Sequence, residues 1–170
     1  MKKLKLLLIL TLFVNTLLVA QETEEETKHL ITGALGYTFI PSGSSHDSQE
    51  EGAFVPSLGL DYFYSINSKW EIGIMTDLEL GEYLILKKEL NRENAFLIAA
   101  IASYSLTKHL NISAGGGIEF EKHHNLGVLR IGTEYTINLK KGWLIAPGLF
   151  FDFKEGIDTW SLSLGFGREF

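Results

Sequence analysis

The stretch Trp160-Ser-Leu-Ser-Leu-Gly-Phe-Gly-Arg-Glu-Phe170 alternates large apolar residues with small or polar ones and stops on an aromatic ring. A period of two places Trp160, Leu162, Leu164 and Phe166 on one face of a strand, and Ser161, Ser163, Gly165 and Gly167 on the other. Lipid on the large apolar side and a narrow interior on the small side satisfy both faces. That is the pattern of a transmembrane β-barrel with Phe170 at the end of its closing strand. The architecture requires an export signal, alternating strands of about ten residues, short and long connections in turn, and aromatic belts.

Residues 1–20 read as a signal peptide. Lys2, Lys3 and Lys5 precede an apolar run from Leu6 to Phe13, and Leu18-Val-Ala20 offers a cleavage site before Gln21. A membrane-anchoring helix needs about twenty apolar residues, and this run is shorter. Residues 21–28 form an acidic segment, and residues 29–170 are left for one barrel domain. Loss of the three leader lysines takes the formal charge from −6 to −9, which argues against nucleic acid as a partner. The absence of cysteine excludes disulfides, thiol chemistry and a lipoprotein anchor.

Alternation predicts eight strands, at Leu30–Ile40, Ala53–Ile66, Trp70–Ile85, Ala95–Leu106, Leu110–Glu121, Asn125–Ile137, Trp143–Phe153 and Trp160–Phe170. The fold class is therefore all-β, an eight-stranded antiparallel up-and-down transmembrane barrel. Tight links at Asn67–Lys69, Thr107–His109 and Asn138–Gly142 fit periplasmic turns, and the remaining links fit extracellular loops. Gly36, Gly59, Gly73, Gly115, Gly117, Gly132, Gly148, Gly165 and Gly167 all fall on the inward face, where a narrow lumen needs space. Aromatics gather near the turns (Tyr64, Trp70, Tyr104, Tyr135, Trp143, Phe170) and near the loops (Phe39, Phe54, Phe96, Phe120, Phe151, Phe153, Trp160). Pro56 and Pro147 each remove a ladder donor, so bulges or strand ends are expected there. The rival architecture, a soluble barrel with its apolar face inside, would expose the Leu/Ile/Trp face to water or bury Asp61, Asp77, Arg130 and Glu134.

With these strands, belts and the terminal Gly-Phe-Gly-Arg-Glu-Phe170, the chain resembles the small eight-stranded outer-membrane β-barrel proteins of Gram-negative bacteria, in the porin-like superfamily. The resemblance runs from Gln21 to Phe170 and rests on architecture. It implies an outer-membrane location, contact with the lipid bilayer and lipopolysaccharide, and insertion by the barrel-assembly machinery. It carries over no functional residues. Long strands protruding outside the cell, which some members use for adhesion, are not evident here. No feature of the sequence argues for an oligomer, so a monomer is expected.

The inward carboxylates are Asp61, Glu71, Asp77, Glu79, Glu119, Glu121, Glu134, Asp152 and Glu169, and Arg130 is the clearest inward base. Charges inside a filled lumen must be paired, so Arg130 is expected to bind Asp61, Asp77 and Glu134 in a structural network. Glu79, Glu119, Glu121 and Asp152 count to similar heights and predict an acidic extracellular rim, solvated and partly balanced by Lys122 and Lys154. His46-Asp47 and His123-His124 offer metal-ligand types, but loop polarity explains them and no metal or other cofactor is expected. Ser42-Gly-Ser-Ser-His46 offers nucleophile and base types on a loop with no fixed geometry, and the His-x-Ser-Asn pattern of lipid A deacylases is missing. The reading is a non-enzymatic structural or surface-interaction protein. Its alternatives are a small-solute pore and a lipid A-modifying enzyme.

Overall fold

The computed structural model describes residues 29–41, 43–44, 52–85, 90–122, 124–155 and 157–170. The expected signal peptide and the acidic segment, with Ser42, His46, Asp47 and His123, lie outside them. Among the described residues twelve strands form: β1 (His29–Ile40), β2 (Gly43–Ser44), β3 (Ala53–Ser65), β4 (Trp70–Glu79), β5 (Glu82–Ile85), β6 (Leu90–Glu93), β7 (Phe96–Ser105), β8 (Leu110–Phe120), β9 (Leu126–Tyr135), β10 (Ile137–Asn138), β11 (Trp143–Phe153) and β12 (Thr159–Glu169). All pairings are antiparallel, the barrel staves pair in chain order, and β12 pairs with β1 from Leu30↔Glu169 to Phe39↔Trp160 to close the sheet. Because β9 and β10 are two pieces of one stave, the closed barrel has eight. His29 and Phe170 finish the seam with reciprocal backbone bonds of 2.9 Å each and stacked rings.

Local chemistry sets the tight turns. Asn67 Oδ1 accepts the backbone N–H groups of Lys69 and Trp70 at 2.9 Å each, and Thr107 Oγ1 accepts those of His109 and Leu110. These side-chain acceptors satisfy donors that the turn would otherwise orphan. We call this the turn end of the barrel and the opposite end the loop end.

The two prolines sit where the ladder can spare a donor. The Pro56 carbonyl accepts from Leu80 N–H at 2.7 Å, and no reciprocal bond is possible there; β4 ends one residue earlier, at Glu79. Pro147 lies between Gly148↔Glu134 and Ile145↔Ile137, at the break that separates β9 from β10. Both rungs keep the same register, so the break is a gap in mid-strand rather than a bulge or a strand end.

One predicted strand is split. Alternation runs from Trp70 to Ile85, but Gly81 takes φ +138°, and the chain turns there. Gly81 N–H donates to Asn94 Oδ1 and Asn94 N–H to Gly81 O, both at 3.1 Å, which locks a waist across the hairpin. Beyond the waist, β5 and β6 continue as a hairpin, and β2 adds to it as a three-stranded sheet at the loop end. The 86–94 connection, expected to be a plain polar loop, thus contains strand β6.

Burial separates the faces as the alternation requires. Leu35, Leu60 and Leu162 are 64–65% exposed, whereas Asp61 is 5% and Arg130 1% exposed. Exposed leucines and buried charges are the reverse of a water-soluble barrel, and only a hydrocarbon surround makes that outer face stable. Eleven residues of β11, from Trp143 to Phe153, span about 25 Å when tilted, the height of the apolar band. Cross-strand aromatic pairs mark both borders: Trp70 with Tyr104 at the turn end, and Phe39 with Phe54 and Phe151 with Trp160 at the loop end.

Candidate functional site: a filled lumen with a stacked charge cluster

The lumen is filled in layers. Nearest the turns is a cavity of about 480 Å³ lined by Ser65, Glu71, Ser105, Asn111, Asn138 and Glu169, among others. Leu30, also on its wall, packs against an apolar layer of Phe63, Met75, Ala99, Ile101 and Phe150. Phe150 fits between Gly132 and Gly148, where an added Cβ would collide with its ring. On the side walls, a Cβ at Gly115 or Gly117 would strike the backbone carbonyl of Ala100 or Ile98. The inward glycines therefore make room for large neighbours and for close strand approach.

Above this layer sits Arg130, with its guanidinium carbon 5.3 Å from the Phe150 ring centre. On β11 its registered neighbour is Asp152, and on β8 it is Gly115. Nε and Nη2 donate to Asp152 Oδ1 and Oδ2 at 2.7 and 2.8 Å, a bidentate pair. Nη1 crosses the lumen to Asp77 on β4.

The predicted network is therefore only partly the one that forms. Asp77 meets Arg130, but Asp61 accepts the Thr76 backbone N–H at 3.0 Å instead. The Thr76 hydroxyl in turn donates to Leu60 O and accepts from Leu60 N–H, so side chains hold the β3–β4 seam where its ladder lapses. Glu134 lies on the same inward face, its Cγ beside Gly148, and makes no hydrogen bond to Arg130. The partner that sequence reasoning missed is Asp152. Counting heights from the turns ignores strand stagger, and stagger is what brings Asp152 opposite Arg130.

The residues expected at a solvated rim form the next layer, and the structure buries them. Glu79 is 5% exposed, and Glu119 and Asp152 1% each. Lys154 Nζ sits among them, 2.5 Å from Glu119, 3.3 Å from Glu79 and 4.0 Å from Asp152. Arg92, reaching in from β6, pairs with Glu119 and lies 3.7 Å from Glu121, while its Nη1 donates to His124 O at 2.6 Å. Tyr83 of β5 donates to Glu79 Oε2 at 2.6 Å. Burial, reinforced by the Glu79 carboxylate, pushes the Tyr83 hydroxyl far above its ordinary range and keeps it a donor. These carboxylates converge as predicted, but protein cations fill the space between them. A rim open to water is ruled out by the apolar cap above: Ile40, Ala53, Val55, Tyr83, Leu126 and Ile157.

Arg92 escaped sequence reasoning because it falls in a stretch without alternation. The signal that could have found it was the surplus of inward carboxylates over Arg130 alone. Among the described histidines, His29 Nδ1 is 2.7 Å from the Tyr62 hydroxyl, His109 Nδ1 is 3.0 Å from Thr136 O, and His124 N–H donates to Glu121. Among the described residues, no group of three or more His, Asp or Glu side chains is placed to hold a metal.

A closed eight-stave sheet, a lipid-facing apolar belt and a filled polar lumen define a small transmembrane β-barrel of the outer-membrane type. Solved structures share this fold. Ail, the attachment invasion locus protein of Yersinia pestis, superposes with a TM-score of 0.60 at 10% identity, over 86% of this chain and all of that one. Neisserial surface protein A gives 0.54 at 11% identity, over 86% of this chain and all of its own. The N-terminal β-barrel domain of Pseudomonas aeruginosa OprF gives 0.51 at 11%, over 85% of this chain and all of that domain. No family model and no curated protein matches the sequence.

Proposed function

We propose that the chain is a monomeric outer-membrane protein with a structural or surface-interaction role and no catalytic one. Its turn end faces the periplasm and its loop end the exterior. Insertion by the barrel-assembly machinery and a collar of lipopolysaccharide in the outer leaflet belong to this reading. The observation that carries it is the filled lumen: among the described residues an apolar layer, the charge cluster and an apolar cap occupy it in succession. What the barrel offers instead is a platform. The β2–β5–β6 sheet stands beyond the membrane, held by Arg92 and Tyr83. Ail has been seen with the heparin analogue sucrose octasulfate. The exposed loop-end charges of this chain include Glu82, Glu93, Glu155 and Asp158 against Lys122, which favours a neutral or basic partner over a polyanion.

The test is fractionation with gel analysis. The protein should pellet with outer membranes, require detergent for extraction, and migrate differently before and after boiling. A protein recovered from the periplasm without detergent would contradict the proposal.

A further inference from the structure

The turn end carries a charge pattern that neither the fold nor the filled lumen explains. Each of its three hairpin turns holds an exposed lysine: Lys69 between β3 and β4, Lys108 between β7 and β8 (also on the wall of the turn-end cavity with Glu71 and Glu169), and Lys140 with Lys141 between β10 and β11. The closing strand adds Arg168, exposed on the outer face with its guanidinium carbon 5.4 Å from the Trp143 ring centre. Basic groups therefore sit at separate points around the rim, in a chain whose mature charge is strongly negative. The carboxylates on the strands nearby, Glu71, Glu134 and Glu169, occupy inward positions and are partly buried. Among the described residues, every exposed charged side chain at this end is positive.

Position identifies the partner. Lys69 directly precedes Trp70, Lys141 lies two residues before Trp143, and Arg168 stacks on that same ring. Interfacial aromatics lie at the depth of lipid headgroups, so these bases are held at the height of the phosphates. Basic side chains at that depth attract anionic lipid over zwitterionic lipid, in a salt-sensitive way. We infer that the turn-end rim is a binding collar for anionic phospholipid headgroups in the leaflet it faces. This rests on the reading of the outer belt as lipid-facing.

The three tryptophans supply the test, because Trp143 reports on the basic end and Trp160 on the acidic one. The mature chain is reconstituted in vesicles of phosphatidylcholine with an equal minor fraction of brominated phosphatidylglycerol or brominated phosphatidylcholine. With Trp143 as sole tryptophan (Trp70→Phe, Trp160→Phe), the brominated anionic lipid should quench about twofold more than the brominated zwitterionic lipid. With Trp160 as sole tryptophan, no such excess should appear. High salt, or Lys69→Gln, Lys108→Gln, Lys140→Gln and Lys141→Gln together, should remove the excess at Trp143. Equal quenching by both lipids at Trp143 would overturn the collar, as would an equal excess at Trp160. An excess seen only after deletion of residues 21–27 would assign the rim to the acidic segment and overturn it too. Quenching by neither lipid would remove the membrane reading itself.

Discussion

Arg130→Met lowers the stability of the folded barrel by about 3–5 kcal/mol, the usual cost of removing one partner from a buried ion pair. The substitution strands Asp152, 1% exposed, and takes from Asp77 the cation that crosses the lumen to it. Unfolding in urea from detergent micelles, followed by loss of the fast-migrating unboiled band, should show a clearly lower midpoint. Adding Asp77→Asn and Asp152→Asn to Arg130→Met should recover part of the loss, because a neutral lumen no longer holds orphaned charge. Arg168→Met is the control. Its side chain is exposed beside Trp143, and its removal should stay within about 1 kcal/mol of the parent. A parent-like midpoint for Arg130→Met would mean that the pairing with Asp77 and Asp152 does not hold the lumen together.

Arg92→Met should release the β5–β6 hairpin while leaving the staves closed. Its guanidinium is the link from β6 to Glu119 and to the His124 carbonyl near the ends of β8 and β9, and it is 1% exposed. Loss of a buried charge partner worth about 3 kcal/mol corresponds to roughly a hundredfold rise in local opening. Hydrogen exchange should therefore speed up by about that factor at the amides of Tyr83 and Leu84, with those of β11 and β12 unchanged. Tyr83→Phe removes one hydrogen bond to a carboxylate and should give a smaller effect in the same segment. Unchanged exchange in Arg92→Met would show that the hairpin is held by its own sheet and not by the charge cluster.

The faces of the barrel were legible because period-two alternation is a property of the backbone and needs no knowledge of the neighbouring strand. Leu35 and Leu162 outside, with Arg130 and Gly132 inside, follow from it directly. Partner identity was less legible. Arg130 meets Asp152 through strand register, and register depends on stagger that single-strand reading cannot supply. The end of β4 was hidden for another reason. Leu78 and Leu80 keep the alternation running toward a positive-φ glycine, and the turn is fixed by Asn94, thirteen positions further on. Arg92 belongs to a short strand outside the membrane, where no lipid imposes a pattern. The acidic rim was misread because an apolar cap closes over it, and one of its members, Ile157, sits in a connection where alternation does not apply.

The central claim is that this lumen is filled from its apolar layer to its cap and conducts nothing. Planar-bilayer recording of the folded protein, with insertion verified by the unboiled gel shift, tests it most directly. The account predicts a baseline without steady unitary steps in molar salt. Reproducible unitary conductance from the same preparation would contradict it.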